Sequence, residues 1–328
     1  MMDIDEYGEM DIMRIIENKS LGSYYKFLVK HEKNYTIRLS SKEEKVVEFI
    51  SKKFASGKRI HELLLLKRML SYKSGLFMLL KDRLEQDYQI SLQQKTIENI
   101  KNIMTNQFTA GSARGTYQDC VLIQQDEGDY SVSDTYSDML NNLDFYKIVE
   151  EIIEFGISRY NKDYSERYMD TNFTLYQKYT YEDVCRLLDW KKGEVALNIG
   201  GYKYDKDTKT YPVFINYDKE NDIQDTIRYE DRFLDPSTLI AISKSGRSLN
   251  SEDVSVAIHA NELGVDLELF VRKNKDDKIS KEFYYLGKMN ATGLANEFIM
   301  PNTSKTAVEI QYKLCTPIRE DLFEYIIS

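Results

Sequence analysis

EVALNIGGYKYDKDTKTYPVFINYD, residues 194–218, is the stretch where the apolar period of the chain falls from a helical value towards two. EVALNIGGYKYD and TYPVFINYD, separated by KDTK, predict a β-hairpin. All four prolines, Pro212, Pro236, Pro301 and Pro317, lie at or beyond this stretch, and the first 211 residues contain none. Proline breaks helix interiors but suits turns and strand edges, so the chain reads as two structural regimes.

Upstream the pattern is helical. SKEEKVVEFISKKF (41–54) puts Val46, Val47, Phe49, Ile50 and Phe54 on one face, with Ser41 and Glu44 as a capping box. RIHELLLLKRMLSYKSGLFMLLKDRL (59–84) predicts a central helix broken at Lys73-Ser74-Gly75. SLQQKTIENIKNIM (91–104), capped by Ser91, and DFYKIVEEIIEFGISRY (144–160), with a kink or end at Gly156, continue the pattern. QFTAGSARGTYQD (107–119) reads as a loop.

The second regime begins near Leu175 with a short helix, YTYEDVCRLLDW (179–190), carrying Thr180 as N-cap and Asp183 three residues on. Strands are predicted at 239–243, 265–272, 282–287 and 306–314, with a helix at 251–263. With 328 residues, two domains are expected, here 1–174 as a helical domain and 175–328 as a β-rich α+β domain with a partly closed barrel or strongly bent sheet.

A net charge of -9 counts against broad adhesion to nucleic acid, which rests on many cations neutralising phosphates, but leaves room for a local basic site. Three scattered cysteines, Cys120, Cys185 and Cys315, make neither a disulfide framework nor a zinc knuckle, and a reducing cytoplasm is the simplest expectation. The longest apolar runs fall far short of the ~20 residues that span a membrane. The acidic start has no signal-peptide pattern, and its doubled Met reads as the edge of a piece of a longer protein.

Enzyme signatures are sparse. HEKNYTIR starts at His31 like a His-x-Lys nuclease motif, but Arg38 stands where the Asp belongs. There is no P-loop, and GSARGTY (111–117) lacks the following Lys. His31, His61 and His259 share no metal-ligand spacing, and Ser243 and Ser245 have no His near in sequence to serve as base. The chain is therefore expected to have no catalytic residues, metal or cofactor of its own.

Twenty-five Tyr are unusual, and several gather in the strand-rich part. A Tyr ring offers a stacking face with a polar tip, which suits either a β core or a planar ligand such as an extruded base. Tyr229-Glu230-Asp231 sets carboxylates beside an aromatic, and a carboxylate accepts readily from the N4 amino group of cytosine. Ser243-Lys244-Ser245-Gly246-Arg247 offers hydroxyls and two cations in a stretch with no acid from Leu239 to Ser251, which is suitable chemistry for phosphate oxygens.

These residues also carry a resemblance. YTYEDVCRLLDW, NIGGYKYDKDTKTYPVFINYDK, RYEDRFLDPST, SKSGRSL, ELFVRKNKDDKISKEFYYLGKM and MPNTSKTAVEIQYKL follow one another as in the C-terminal domain of unknown function attached to DEAD/DEAH-type helicases that carry a phospholipase-D-like nuclease. EYGEMDIMRIIENKSLGSYYKFLVKHEKNYTIRLS and GKRIHELLLLKRML resemble the helical segment of the same proteins. The chain thus resembles the C-terminal region of SauUSI-like modification-dependent (type IV) restriction enzymes, which cut DNA containing 5-methylcytosine or 5-hydroxymethylcytosine.

The resemblance implies a helical coupler followed by an SRA-like (PUA-like) curved sheet or barrel whose pocket receives a flipped modified cytosine. It implies base contacts from Asn198, Tyr202, Phe214, Tyr217, Tyr229, Glu230 and Asp231, and DNA-backbone contacts from Ser243, Lys244, Ser245 and Arg247. Within that set, Tyr217 and Tyr229 would stack the base and Asp231 would read its Watson–Crick edge. Ala241 stands where relatives often carry an aromatic, so no ring is expected there. The expected partners are modified double-stranded DNA and the helicase and nuclease domains of a parent chain, with a homodimer as a further arrangement and no membrane. The rival reading is a protein-interaction or adaptor module that docks partner subunits without binding DNA.

Overall fold

The structure, a computed structural model, describes residues 13, 16, 23–31, 39–126, 128–217, 231–273, 281–301 and 303–328. The chain divides into two compact units, residues 1–166 with 191–193, and residues 167–190 with 194–328.

The first unit is built from α1 (Tyr24–His31), α2 (Ser41–Phe54), α3 (Ile60–Met69), α4 (Leu76–Tyr88), α5 (Gln94–Met104), α6 (Ser112–Thr116), α7 (Asp134–Leu140) and α8 (Leu143–Arg159), closed by a π turn over Tyr160–Tyr164. A small antiparallel hairpin of β1 (Ile123–Asp126) and β2 (Asp129–Val132) is added to these helices. The capping box of α2 sits one residue earlier than the sequence spacing predicts. Ser40 Oγ accepts from Glu43 N at 3.3 Å, and Ser40 N donates back to Glu43 Oε2 at 2.7 Å. The break after α3 is where the sequence puts it, with Gly75 in the left-handed region at φ 66° as the N-cap of α4.

Three local expectations differ from the structure. The helix predicted from Ser91 starts at Gln94 with no side-chain cap. The stretch read as a loop over 107–119 contains the single helical turn α6. Gly156 does not end α8, which runs on to Arg159, and its missing side chain lets the helix approach α3: a Cβ there would stand 2.7 Å from Leu63 Cδ2.

The second unit contains β3 (Lys178–Tyr179), α9 (Tyr181–Leu187), α10 (Ala196–Ile199), β4 (Thr210–Tyr217), β5 (Arg232–Asp235), β6 (Thr238–Ile242), α11 (Glu252–Ile258), α12 (Ala260–Leu263), β7 (Asp266–Lys273), β8 (Phe283–Ile299), β9 (Thr306–Leu314) and α13 (Glu320–Ile327). The sheet order is β4-β7-β8-β9-β6-β5, with β3 paired on β8. β4 and β7 run parallel, from Thr210 opposite Asp266 to Tyr217 opposite Lys273, and the remaining pairs are antiparallel.

β8 is what bends the sheet. Its first part pairs with β7 and its remainder with β9, and Met289 pairs with both Leu267 and Leu314. Register shifts at Leu269/Phe270 and at Ala291/Ala295 sharpen the bend, since a bulge adds local twist. The result is a curled mixed sheet following a helical unit, the α+β order that the sequence predicts.

The predicted hairpin forms only in its second half. Gly200 and Gly201 adopt φ +55° and +96°, so Ala196–Ile199 closes as one helical turn and the chain then crosses the free edge of β4. Only the isolated bridges Tyr202–Val213 and Asp205–Thr210 remain of the expected pairing. Inside the curl, Tyr211, Val213, Ile215 and Tyr217 pack with Leu267, Leu269, Val271, Val308, Ile310 and the buried face of α13. On the other side of β4 and β7 is an aromatic layer, with Phe173 and Tyr285 at 4.7 Å, Phe214 and Phe270 at 5.0 Å, and Tyr181 and Phe214 at 4.4 Å. Much of the Tyr content is therefore core.

Candidate functional site

Between β4, the Gly200–Tyr202 crossing and the end of β6 lies a cavity of about 280 Å³. Its apolar wall is Val213, Ile215, Val254, Ile310 and Ala241, and its polar groups come from Tyr202, Tyr211, Tyr312, Asp231, Ser243 and Lys244. The alternation of β4 turns Val213 and Ile215 inward, and the two glycines let the crossing come close without side chains.

Asp231 enters from the residue before β5, and its Oδ1 accepts from Ile242 N at 2.8 Å. This bond fixes a carboxylate at the cavity edge.

Tyr202 also lines the cavity and is 8% exposed. Its hydroxyl donates to Asp253 Oδ2 at 3.1 Å and accepts from Lys244 N at 3.0 Å. Arg247 Nε donates to the same Asp253 oxygen at 2.7 Å. Tyr211, whose ring stacks on that of Tyr202 at 5.5 Å and 21°, donates from its hydroxyl to the Asp253 carbonyl at 3.1 Å. Burial pushes the Tyr202 pKa up to about 12 and raises those of Tyr211 and Tyr312 further, so all three keep their protons at neutral pH.

The acid-free turn is tied inward. Ser243 N donates to Val308 O at 2.8 Å, extending the β6–β9 ladder by one residue, while its Oγ accepts from Val308 N at 2.8 Å and donates to Lys244 O at 3.2 Å. Lys244 Nζ lies 4.6 Å from the centre of the Tyr202 ring and donates to Tyr202 O at 2.8 Å. Burial lowers its pKa against the attraction of Asp253. Ser245 is exposed, Gly246 takes φ +79°, and Arg247 is committed to Asp253.

Of the residues proposed from sequence, the structure gathers Tyr202, Phe214, Asp231, Ser243 and Lys244 around the cavity. The Phe214 ring belongs to the aromatic layer. Tyr217 lies outside the lining, buried against Phe233 at 5.7 Å. Asn198 is also outside it, bonded to Glu194 at 2.9 Å on the exposed turn α10. Tyr229 and Glu230 lie outside the described residues.

Sequence reasoning missed Asp253 and Tyr312, and counted Tyr211 only as one of the gathered tyrosines. Asp253 is 51 residues from Tyr202 and looks in sequence like an ordinary acidic first turn of a helix. The strand alternation around Tyr211 was the available signal. Among the described residues no group of His, Cys, Asp and Glu is placed to hold a metal ion, and no helix is long and apolar enough to cross a membrane.

Residues 173–326 match the model of a domain of unknown function, DUF3427, and residues 1–162 that of another, DUF8090. No curated protein matches the chain. Among solved structures, the chain is similar to the SRA domain of SUVH5 in complex with hemimethylated CG DNA, at 11% identity and a TM-score of 0.30, covering 44% of this chain and 91% of that one. It is also similar to KRYPTONITE in complex with mCHG DNA, at 10% identity and a TM-score of 0.32, over 50% of this chain and 38% of that one. The DNA modification-dependent restriction endonuclease AspBHI is similar at 10% identity and a TM-score of 0.31, over 47% of this chain and 80% of that one.

Proposed function

We propose that the second unit reads modified cytosine, 5-methylcytosine or 5-hydroxymethylcytosine, in duplex DNA by taking the base out of the stack into the cavity bounded by Tyr202 and Asp231. The observation that carries the reading is one small cavity with a fixed carboxylate at its edge and a clamped aromatic ring in its wall. A cytosine presents an N4 amino donor, which Asp231 accepts while Ile242 N–H steadies its other side. Tyr202 supplies the stacking face, because Tyr217 is engaged in the core. The apolar wall of Val213, Ile215 and Ala241 offers a dry place for a 5-methyl group, which adds only ~1 kcal/mol and gives modest discrimination.

The motif resemblance extends the reading to the parent protein: the target-recognition part of an ATP-dependent type IV restriction endonuclease, with the helical unit as coupler to the motor and no catalytic group in this chain. Opening a base pair costs a few kcal/mol, offset by stacking and hydrogen bonds in the pocket.

The test places 2-aminopurine beside a methylcytosine in a short duplex. Extrusion of the methylated base raises the fluorescence of its unstacked neighbour, and Asp231→Ala suppresses that rise. Tight binding with no fluorescence change in the native chain rules out flipping.

One observation favours the adaptor reading. Both cations of the turn already have internal partners, Lys244 on Tyr202 and Arg247 on Asp253. That reading predicts no DNA binding at moderate salt.

A further inference from the structure

We propose that Lys244 is a displaceable occupant of the base seat: its ammonium holds the face of Tyr202 until a planar ring takes that face, and then moves to a phosphate of the bound strand. The inference rests on the base-pocket reading and names the residue that decides what the pocket admits.

Lys244 touches Tyr202 at three points. Its backbone N–H donates to the Tyr202 hydroxyl, its Nζ donates to the Tyr202 carbonyl, and the same ammonium stands 4.6 Å from the ring centre. Stacked aromatic rings keep their centres about 4.5–7 Å apart. An incoming base stacked on Tyr202 therefore needs the space that the ammonium fills, and the two exclude each other.

The ammonium is well suited to leave. Among the described residues no carboxylate forms an ion pair with Lys244, whereas Arg247, three residues on, has Asp253 at 2.7 Å. Its charge rests on a ring face and one carbonyl in a half-buried place, where burial lowers its pKa against the attraction of Asp253, which stands beyond ion-pair distance. A phosphate oxygen is a stronger partner than either, since it sets a full anion against the ammonium where the ring face and the carbonyl offer only partial charges. The four-carbon stem gives the reach. Base entry and phosphate contact are then one event: a ring that displaces the ammonium without offering it a phosphate loses the exchange.

The experiment labels the lysines of the chain with ¹³C and follows the ε-methylene of Lys244, assigned by its loss in Lys244→Ala. In the free chain that signal is shifted upfield by the Tyr202 ring current, and saturation with a short methylated duplex returns it to the ordinary lysine position. In parallel, Lys244→Ala binds the nucleoside 5-methyl-2′-deoxycytidine, which has no phosphate, roughly tenfold more tightly than the native chain does, and binds the methylated duplex more weakly. A Lys244 signal that stays upfield while the duplex saturates, or a substitution that moves both affinities the same way, overturns the displacement and leaves the pocket reading intact. If the native chain binds neither ligand, the pocket reading falls and the displacement falls with it.

Discussion

At the scale of single residues, Asp253 organises the pocket wall by joining Tyr202, Tyr211 and Arg247 through its carboxylate and carbonyl. Asp253→Asn keeps the shape but weakens the charge-assisted bond to Arg247, and Tyr202 loses part of its fixed orientation. Binding of a methylated duplex is expected to weaken by about tenfold, or roughly 1.4 kcal/mol, while the salt dependence of binding stays unchanged, as titrations at two salt concentrations would show. Arg247→Ala is expected to act in the same way, because Arg247 supports Asp253; a flattened salt slope would instead assign it to DNA phosphate. Asp231 and Tyr202 were legible in the sequence, since both stand in stretches that carry a motif. Asp253 was not, because an acid at the start of a helix has an ordinary reading in the helix dipole and its true partner is remote in sequence.

At the scale of elements, the helical faces and the strand at β4 were legible because their periodicity is local. What the sequence could not give is β8, expected over 282–287 and found over Phe283–Ile299, because its second half pairs with β9 while most of its residues, Leu294 and Ile299 among them, stay exposed and follow no alternating pattern. The parallel pairing of β4 with β7 depends on closure over the whole intervening chain, which no short pattern records. In the first unit, α3 opens on a buried ion pair: Arg59 Nε donates to both Glu62 oxygens at 3.0 and 2.9 Å, and Arg59 Nη2 donates to Asn99 Oδ1 at 2.6 Å on α5. Removing one partner leaves a buried charge uncompensated. Glu62→Ala is expected to destabilise the first unit by about 3–5 kcal/mol, read as a lower urea midpoint at unchanged slope.

At the scale of the whole molecule, the order of a helical unit followed by a curled mixed sheet was legible from the position of the prolines and the change of period. The second unit also carries a pH dependence. Glu268 on β7 is 1% exposed and accepts from Tyr285 Oη at 2.5 Å. Burial pushes its pKa up from 4.5 to about 8, outweighing the opposing hydrogen bond from Tyr285 and the charge of Lys288. The folded state therefore holds a proton that the unfolded chain releases above about 4.5. Between pH 4.5 and 8 the stability contributed by this group falls as pH rises, by at most about 1.4 kcal/mol per unit. Glu268→Gln is expected to remove that slope, as denaturation midpoints at pH 5, 7 and 9 would show; a native slope of the opposite sign would refute the assignment.

The central claim, that the cavity beside Tyr202 and Asp231 seats a modified cytosine, meets its most direct test in one titration. The chain is titrated with a single short duplex that is unmethylated, hemimethylated or fully methylated at cytosine, at low and at moderate salt. The account predicts that methylation tightens binding at both salt concentrations. If all three duplexes bind alike and release together as salt rises, or none binds, the cavity does not read the base.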